Sequence, residues 1–192
     1  MAYLEIFGFI TGVAGVWLTM RQHILCFPVG LINVIISLFL FYGQLLYADA
    51  LQQIVYIILI SYGWYKWMKG TDKQSSFPVT RLTLSTATGL LILTGISTIV
   101  LAYILNRFTN ATYPWFDSFA TSTAFAAQYL VARKKIENWY LWIVVNVSYI
   151  LIYFQKELYL YIALFIIYLF LSFAGLYSWR KDLQTIKSNP AQ

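Results

Sequence analysis

The chain has 192 residues, is 60% hydrophobic and 10% charged, and carries a formal net charge of +6 with a single cysteine. With a mean hydropathy of +0.68, it lies far from the soluble average of roughly 25% charged residues, which excludes an ordinary water-soluble domain and predicts an integral membrane bundle. Cys26 has no intrachain disulfide partner and reads as a packing residue.

A spanning helix needs about 20 mostly apolar residues. The chain divides into seven such runs, at 3–20, 25–42, 47–68, 82–105, 115–131, 136–154 and 158–179. The opening MAYLEIFGF has no basic segment ahead of its apolar run, so no cleavable signal peptide is expected. Pro28 is predicted to kink the second run or mark its first turn. The connector at 69–81 is the longest and most polar. Eleven of the thirteen basic residues (Arg21, Lys66, Lys69, Lys73, Arg81, Arg133, Lys134, Lys135, Arg180, Lys181 and Lys187) fall on one side of this arrangement. Arg107 and Lys156 fall on the other. The bias predicts an outside N-terminus and a cytoplasmic C-terminus, and it explains the positive charge without nucleic acid.

Shifting the chain by 112 residues pairs Phe7 with Phe119, Thr11 with Thr123, Leu18 with Leu130, Arg21 with Arg133, Tyr56 with Tyr168, Gly63 with Gly175 and Trp67 with Trp179. Asn33 pairs with Asn146 at a shift of 113. The expected fold is an all-α membrane protein with a parallel 3+1+3 repeat. Its first three-helix unit is placed at 1–70, a linker helix at 71–110, a second unit at 111–182 and a cytoplasmic tail at 183–192.

The polar groups at membrane depth are the candidates for binding a solute. Trp139, Trp142 and Asn146, at i, i+3 and i+7 in ENWYLWIVVNV, share one helix face. Unpaired amide and indole N–H groups are costly in hydrocarbon, so this face should turn toward protein, water or a ligand. Asn33, Gln53, Tyr56 and Gln128 join the expected path, together with Gln52. Asn33 reads equally as an interhelical hydrogen bond. Glu5 and Asp117, which correspond under the repeat, read either as helix N-terminal charges or as an outer gate. Gly8, Gly12 and Gly15 are expected to let helices approach closely. Trp64, Trp67 and Trp179 are expected in an interfacial belt, and Glu137 as a salt-bridge partner of the neighbouring basic residues. Enzyme readings find no support: His23 is the one histidine, and neither a GxSxG elbow nor a phosphate-binding Gly-rich loop occurs. The last run also lacks the lysine that a retinal protein needs.

LINV at 31–34, LYADALQQ at 46–53, YGWYKW at 62–67, WFDS at 115–118 and ENWYLWIVVNV at 137–147 together resemble the PnuC family of bacterial vitamin transporters, over nearly the whole chain. The resemblance implies a fold like that of full-length SWEET transporters and facilitated diffusion across the bacterial cytoplasmic (inner) membrane. The expected solute is nicotinamide riboside, with thiamine and riboflavin carried by related members. A cytoplasmic vitamin kinase would trap the solute, and no cofactor or metal is implied. By position, Trp139 and Trp142 would sandwich the aromatic ring, and Asn146 and Gln53 would hydrogen-bond its polar groups. One departure is Ile60, which stands where riboside transporters are expected to carry an amide just before YGWY. Loss of such a group changes discrimination by a factor of about 10 or more, which keeps thiamine close. Both vitamins are cationic aromatics, suited to indole faces. A binding-only receptor and a neutral-sugar carrier are the alternatives of other classes. The oligomeric state is open, a homo-oligomer such as a trimer included.

Overall fold

In the computed structural model, residues 2–43, 47–71, 77–109 and 111–188 are described. They form seven helices: α1 Ala2–Met20, α2 Cys26–Gly43, α3 Tyr47–Thr71, α4 Leu84–Phe108, α5 Pro114–Ala132, α6 Asn138–Gln155 and α7 Tyr159–Ser188. Each coincides with one of the seven apolar runs. Pro28 sits in the first turn of α2 and Pro114 opens α5, positions where the missing N–H costs no ladder bond. α7 runs through to Ser188, so residues 183–188, expected as tail, continue the helix, and Leu183 is buried.

Three helices, α2, α4 and the 159–185 part of α7, are long and apolar enough to cross a membrane by composition alone, and the shorter 6–20 part of α1 is apolar too. α3, α5 and α6 carry more polar residues for a reason visible in the packing. α1 packs on α2, α2 on α3, α3 on α5, α5 on α6, α6 on α7 and α7 on α1, which closes a ring of six helices. α4 lies outside it against α5. α5 therefore meets three neighbours, and ten of its residues are buried, among them Ser118, Ser122 and Thr123. Such a helix does not need an apolar surface all round to be stable in a bilayer.

Residues 112 apart build matching local structure. The turn after α1 places Gln22 at φ 55° and the turn after α5 places Lys134 at φ 47°. His23 N–H donates to the Leu18 carbonyl as Lys135 N–H donates to that of Leu130. Phe27 N–H donates to Ile24 and Trp139 N–H to Ile136. Thr11 and Thr123 both bond back to the carbonyl four residues earlier, those of Phe7 and Phe119. Above these turns the packing matches as well. Phe27 meets Trp67 edge-on at 4.9 Å and 83°, and Trp139 meets Trp179 at 5.5 Å and 88°. A Cβ added at Gly63 would stand 2.5 Å from Phe27, and one at Gly175 2.5 Å from Trp139, so both glycines are required by close approach of a ring.

Trp67 and Trp179 are buried at 3% and 0% exposure, which corrects their expected place in an interfacial belt. Their indole N–H groups donate to the Val131 carbonyl on α5 (3.3 Å) and the Met20 carbonyl on α1 (3.2 Å). Each cross-tie joins the end of one helix trio to the end of the other trio's first helix. Trp64 is half-buried beside the same core. Most of the large buried side chains gather at this end, Phe27, Trp67, Ile136, Trp139, Trp179 and Leu183 among them.

The 77–83 segment docks on the α5–α6 turn through a parallel bridge, with Thr80 N–H on the Lys134 carbonyl and Ile136 N–H on that of Thr80. Glu137, expected in a salt bridge, instead accepts the Leu82 N–H at 2.9 Å and holds this segment's backbone. Among the described residues it has no ion-pair partner. Lys134 lies over Trp67 at 4.3 Å and donates to the Phe77 carbonyl. Burial lowers its ammonium from the usual lysine range, against opposing pulls from Cys26 and Asp182.

Candidate functional site

The two deep amides have found partners inside the protein. Asn33 on α2 donates to the Gly8 carbonyl at 2.6 Å and to Thr11 Oγ1 at 3.1 Å, tying α2 to α1. Gly12, one turn on, faces Tyr168 Oη and the same amide, so this glycine lets α1 and α7 close together, whereas Gly15 faces Val29 and Gly30 of α2 and a Cβ added at Gly8 would meet nothing within 4 Å. Asn146 on α6, 3% exposed, donates to Ser172 Oγ on α7 at 3.0 Å, and Ser172 in turn donates to the Tyr168 carbonyl. Ser172 stands 112 residues after Ile60, which is buried and touches the space over Gly30. The first trio thus has no hydroxyl where the second holds its asparagine, and Asn33 turns to α1 instead.

Another set of polar groups has no partner. Gln53 on α3 is 9% exposed, and among the described residues its amide makes no hydrogen bond. Its sequence neighbour Gln52 differs, donating to Thr121 Oγ1 at 2.7 Å, which also meets Tyr149 Oη at 3.3 Å. Tyr56, one turn below Gln53, packs edge-on against Phe125 of α5 at 5.2 Å with no hydrogen bond at its hydroxyl. Gln128 on α5 is half-buried and likewise unbonded. None of these three groups is among the fully buried polar atoms left without a partner, so they stand open to water or a solute that could complete them.

The two tryptophans of α6 separate. Trp142 is half-buried against the core. Trp139 is 1% exposed, with its ring enclosed by Trp179 and Gly175, and its Nε1 is a buried donor without an acceptor. Its ring does the packing that Phe27 does in the first trio. Its N–H has no counterpart there. Asn138 Oδ1 and Ser118 Oγ are the other buried polar atoms without partners among the described residues.

Asp117 sits in the first turn of α5, half-buried, with Asp49 of α3 and Lys156 at the end of α6 as its electrostatic neighbours. The side chain of Glu5 lies outside the described residues. Tyr149, Tyr153, Tyr161 and Phe165 form a continuous aromatic stack between α6 and α7, Tyr153 meeting Tyr161 at 5.0 Å and Tyr149 meeting Phe165 at 4.9 Å. The sequence reading did not single out these rings or Ser172. The 112-residue shift that aligns Tyr56 with Tyr168 would have drawn attention to Ser172 opposite Ile60.

Comparison with known proteins agrees with this architecture. The chain is 25% identical over 204 residues to the nicotinamide riboside transporter PnuC of Escherichia coli (strain K12), an alignment covering 93% of this chain and 85% of that one. It is 27% identical over 145 residues to the riboflavin/roseoflavin transporter RibM of Streptomyces davaonensis, covering 74% and 68%. The crystal structure of the vitamin B3 transporter PnuC superposes with a TM-score of 0.78 over 96% of this chain and 83% of that one, at 22% identity, which shows the fold. The family model described as nicotinamide mononucleotide transporter matches residues 2–181, and the chain belongs to that family of membrane-embedded, multi-pass transporters.

Proposed function

We propose that the protein carries a cationic aromatic vitamin, nicotinamide riboside in the first place, across the bacterial cytoplasmic membrane by facilitated diffusion. The observation that carries this reading is the set of groups on the ring's helices that make no hydrogen bond among the described residues: Gln53, Tyr56, Gln128 and the indole of Trp142. An aromatic cation with hydroxyl groups would stack on the indole and complete the amides. Asn146 would offer its Oδ1, Asn33 would hold α2 to α1, and Trp139 would form the floor, its buried N–H reaching a solute only once the packing over it opens. Glu5 and Asp117 would draw cations to the outer mouth.

The matched turns, glycines and indole cross-ties support a parallel 3+1+3 arrangement, with α4 as the linker that brings both trios in from the same side. The charge bias supports an outside N-terminus. Transport would run to equilibrium, with phosphorylation by a cytoplasmic kinase retaining the solute. Ile60 supports thiamine as the second substrate, and the RibM relative supports testing riboflavin beside it. In proteoliposomes, labelled nicotinamide riboside is expected to equilibrate and to accumulate further only when a kinase and ATP are enclosed. Uphill accumulation driven by a proton or sodium gradient would overturn uniport, and glucose competing with the vitamin would point to a sugar carrier. Absence of any flux despite binding would point to a receptor.

A further inference from the structure

Three cations from separate parts of the chain converge on one open hollow of about 250 Å³ at the basic end. Lys66 comes from α3, Arg133 and Lys135 from the α5–α6 turn, and Phe77, Pro78 and Thr80 complete the lining. Among the described residues no carboxylate pairs with any of the three. Each is held in place by an uncharged group and keeps donors to spare. Lys66 Nζ lies 5.9 Å over the Tyr62 ring. Arg133 gives one N–H to Tyr62 Oη at 3.3 Å and, as a guanidinium, is always charged. Lys135 Nζ donates to Thr80 Oγ1 at 2.9 Å and to the Arg81 carbonyl at 3.1 Å, which uses two of its three N–H groups. The bridge between Thr80 and Lys135 fixes the lining loop against the turn.

Three like charges around one concavity repel each other unless an anion sits between them, and a fork of Arg and Lys donors suits phosphate oxygens. We propose that this hollow binds a phosphate group. The surroundings favour a phospholipid as its source. α3 and α4 both pack on α5, and the hollow lies at the basic end of the α3–α5 seam, just ahead of α4. Tyr62 and Tyr129 stack across that seam, 6.3 Å apart at 6°, immediately beside the hollow. A headgroup phosphate in the hollow would leave its acyl chains along apolar surface, the arrangement of basic lipid sites beside spanning helices.

The test is native mass spectrometry of the detergent-purified protein with added phosphatidylglycerol or phosphatidylcholine, beside a second arm in which inorganic phosphate competes. Phosphatidylglycerol is expected to be retained over phosphatidylcholine and displaced only weakly by inorganic phosphate. Retention should fall about tenfold in Lys66→Gln, whose side chain makes no hydrogen bond among the described residues, as loss of one charge-assisted contact should give. Lys135→Gln should lower it similarly, with a melting curve to show that the loop stays docked. Lys181→Gln, at the same end but outside the hollow, should change nothing. Efficient displacement by inorganic phosphate would keep the phosphate site and overturn the lipid as its occupant. Equal retention of both lipids with no phosphate effect, or equal losses in Lys66→Gln and Lys181→Gln, would overturn the site itself.

Discussion

At the basic end the helices α1–α3 and α5–α7 place matching parts in matching positions, and three differences between them stand out. Phe27 faces Trp67 and Gly63 as Trp139 faces Trp179 and Gly175. The differences are the indole N–H that Trp139 has and Phe27 lacks, the bulk of Trp142 where the first trio has Gly30, and the hydroxyl of Ser172 where it has Ile60. What both trios share is what a ring of six helices needs to close at its basic end. These three features of the second trio are polar or aromatic and sit on α6 and α7, so the proposed site would draw mainly on that half, with Gln53 and Tyr56 of α3 added to it.

The largest effects should come from breaking the shared part. Gly63→Ala and Gly175→Ala each drive a methyl into a ring at 2.5 Å and should cost about 3 kcal/mol of stability, alike in the two trios, as measured by thermal unfolding in detergent. A large loss at one glycine with none at the other would show that the trios are not equivalent. Trp142→Ala, on the unshared part, should weaken vitamin binding by about 2 kcal/mol because a stacking face is lost, and should lower the melting point without unfolding the protein because the indole also packs against the core. Gln53→Ala should weaken binding by about 1 kcal/mol and leave stability unchanged, since its amide has no bond to lose, whereas Gln52→Ala should lower stability by about the same amount by freeing Thr121. A small effect on folding is also expected from Trp139→Phe, which installs the ring the first trio already uses. Its melting point should shift little, and any fall in affinity would then belong to the N–H alone.

The sequence read well where the signal was one of length and period. Seven apolar runs became seven helices, and the correspondence at 112 residues reappears in turns down to single backbone hydrogen bonds, as with Leu18 and Leu130. It read less well where neighbours decide a residue's job. Trp67 and Trp179 stand among lysines and arginines at helix ends, the usual signature of an interfacial belt, yet α1 and α5 cover them and take their N–H groups. Glu137 follows three basic residues and nevertheless binds a backbone N–H from the 77–83 segment, 55 residues away. The shared face of Trp139, Trp142 and Asn146 was legible as helical periodicity. That Trp139 is enclosed by Gly175 while Gln53 keeps an unpaired amide depends on contacts between helices distant in sequence, which no spacing rule supplies.

The most direct test of the account is titration calorimetry of nicotinamide riboside, thiamine and riboflavin against the purified protein and its Trp142→Ala variant. One of the three should bind saturably, and the variant, still folded in its melting curve, should lose at least about tenfold in affinity. A folded variant that binds the same vitamin with unchanged affinity would remove Trp142 from the site and contradict the assignment of the solute to the second trio.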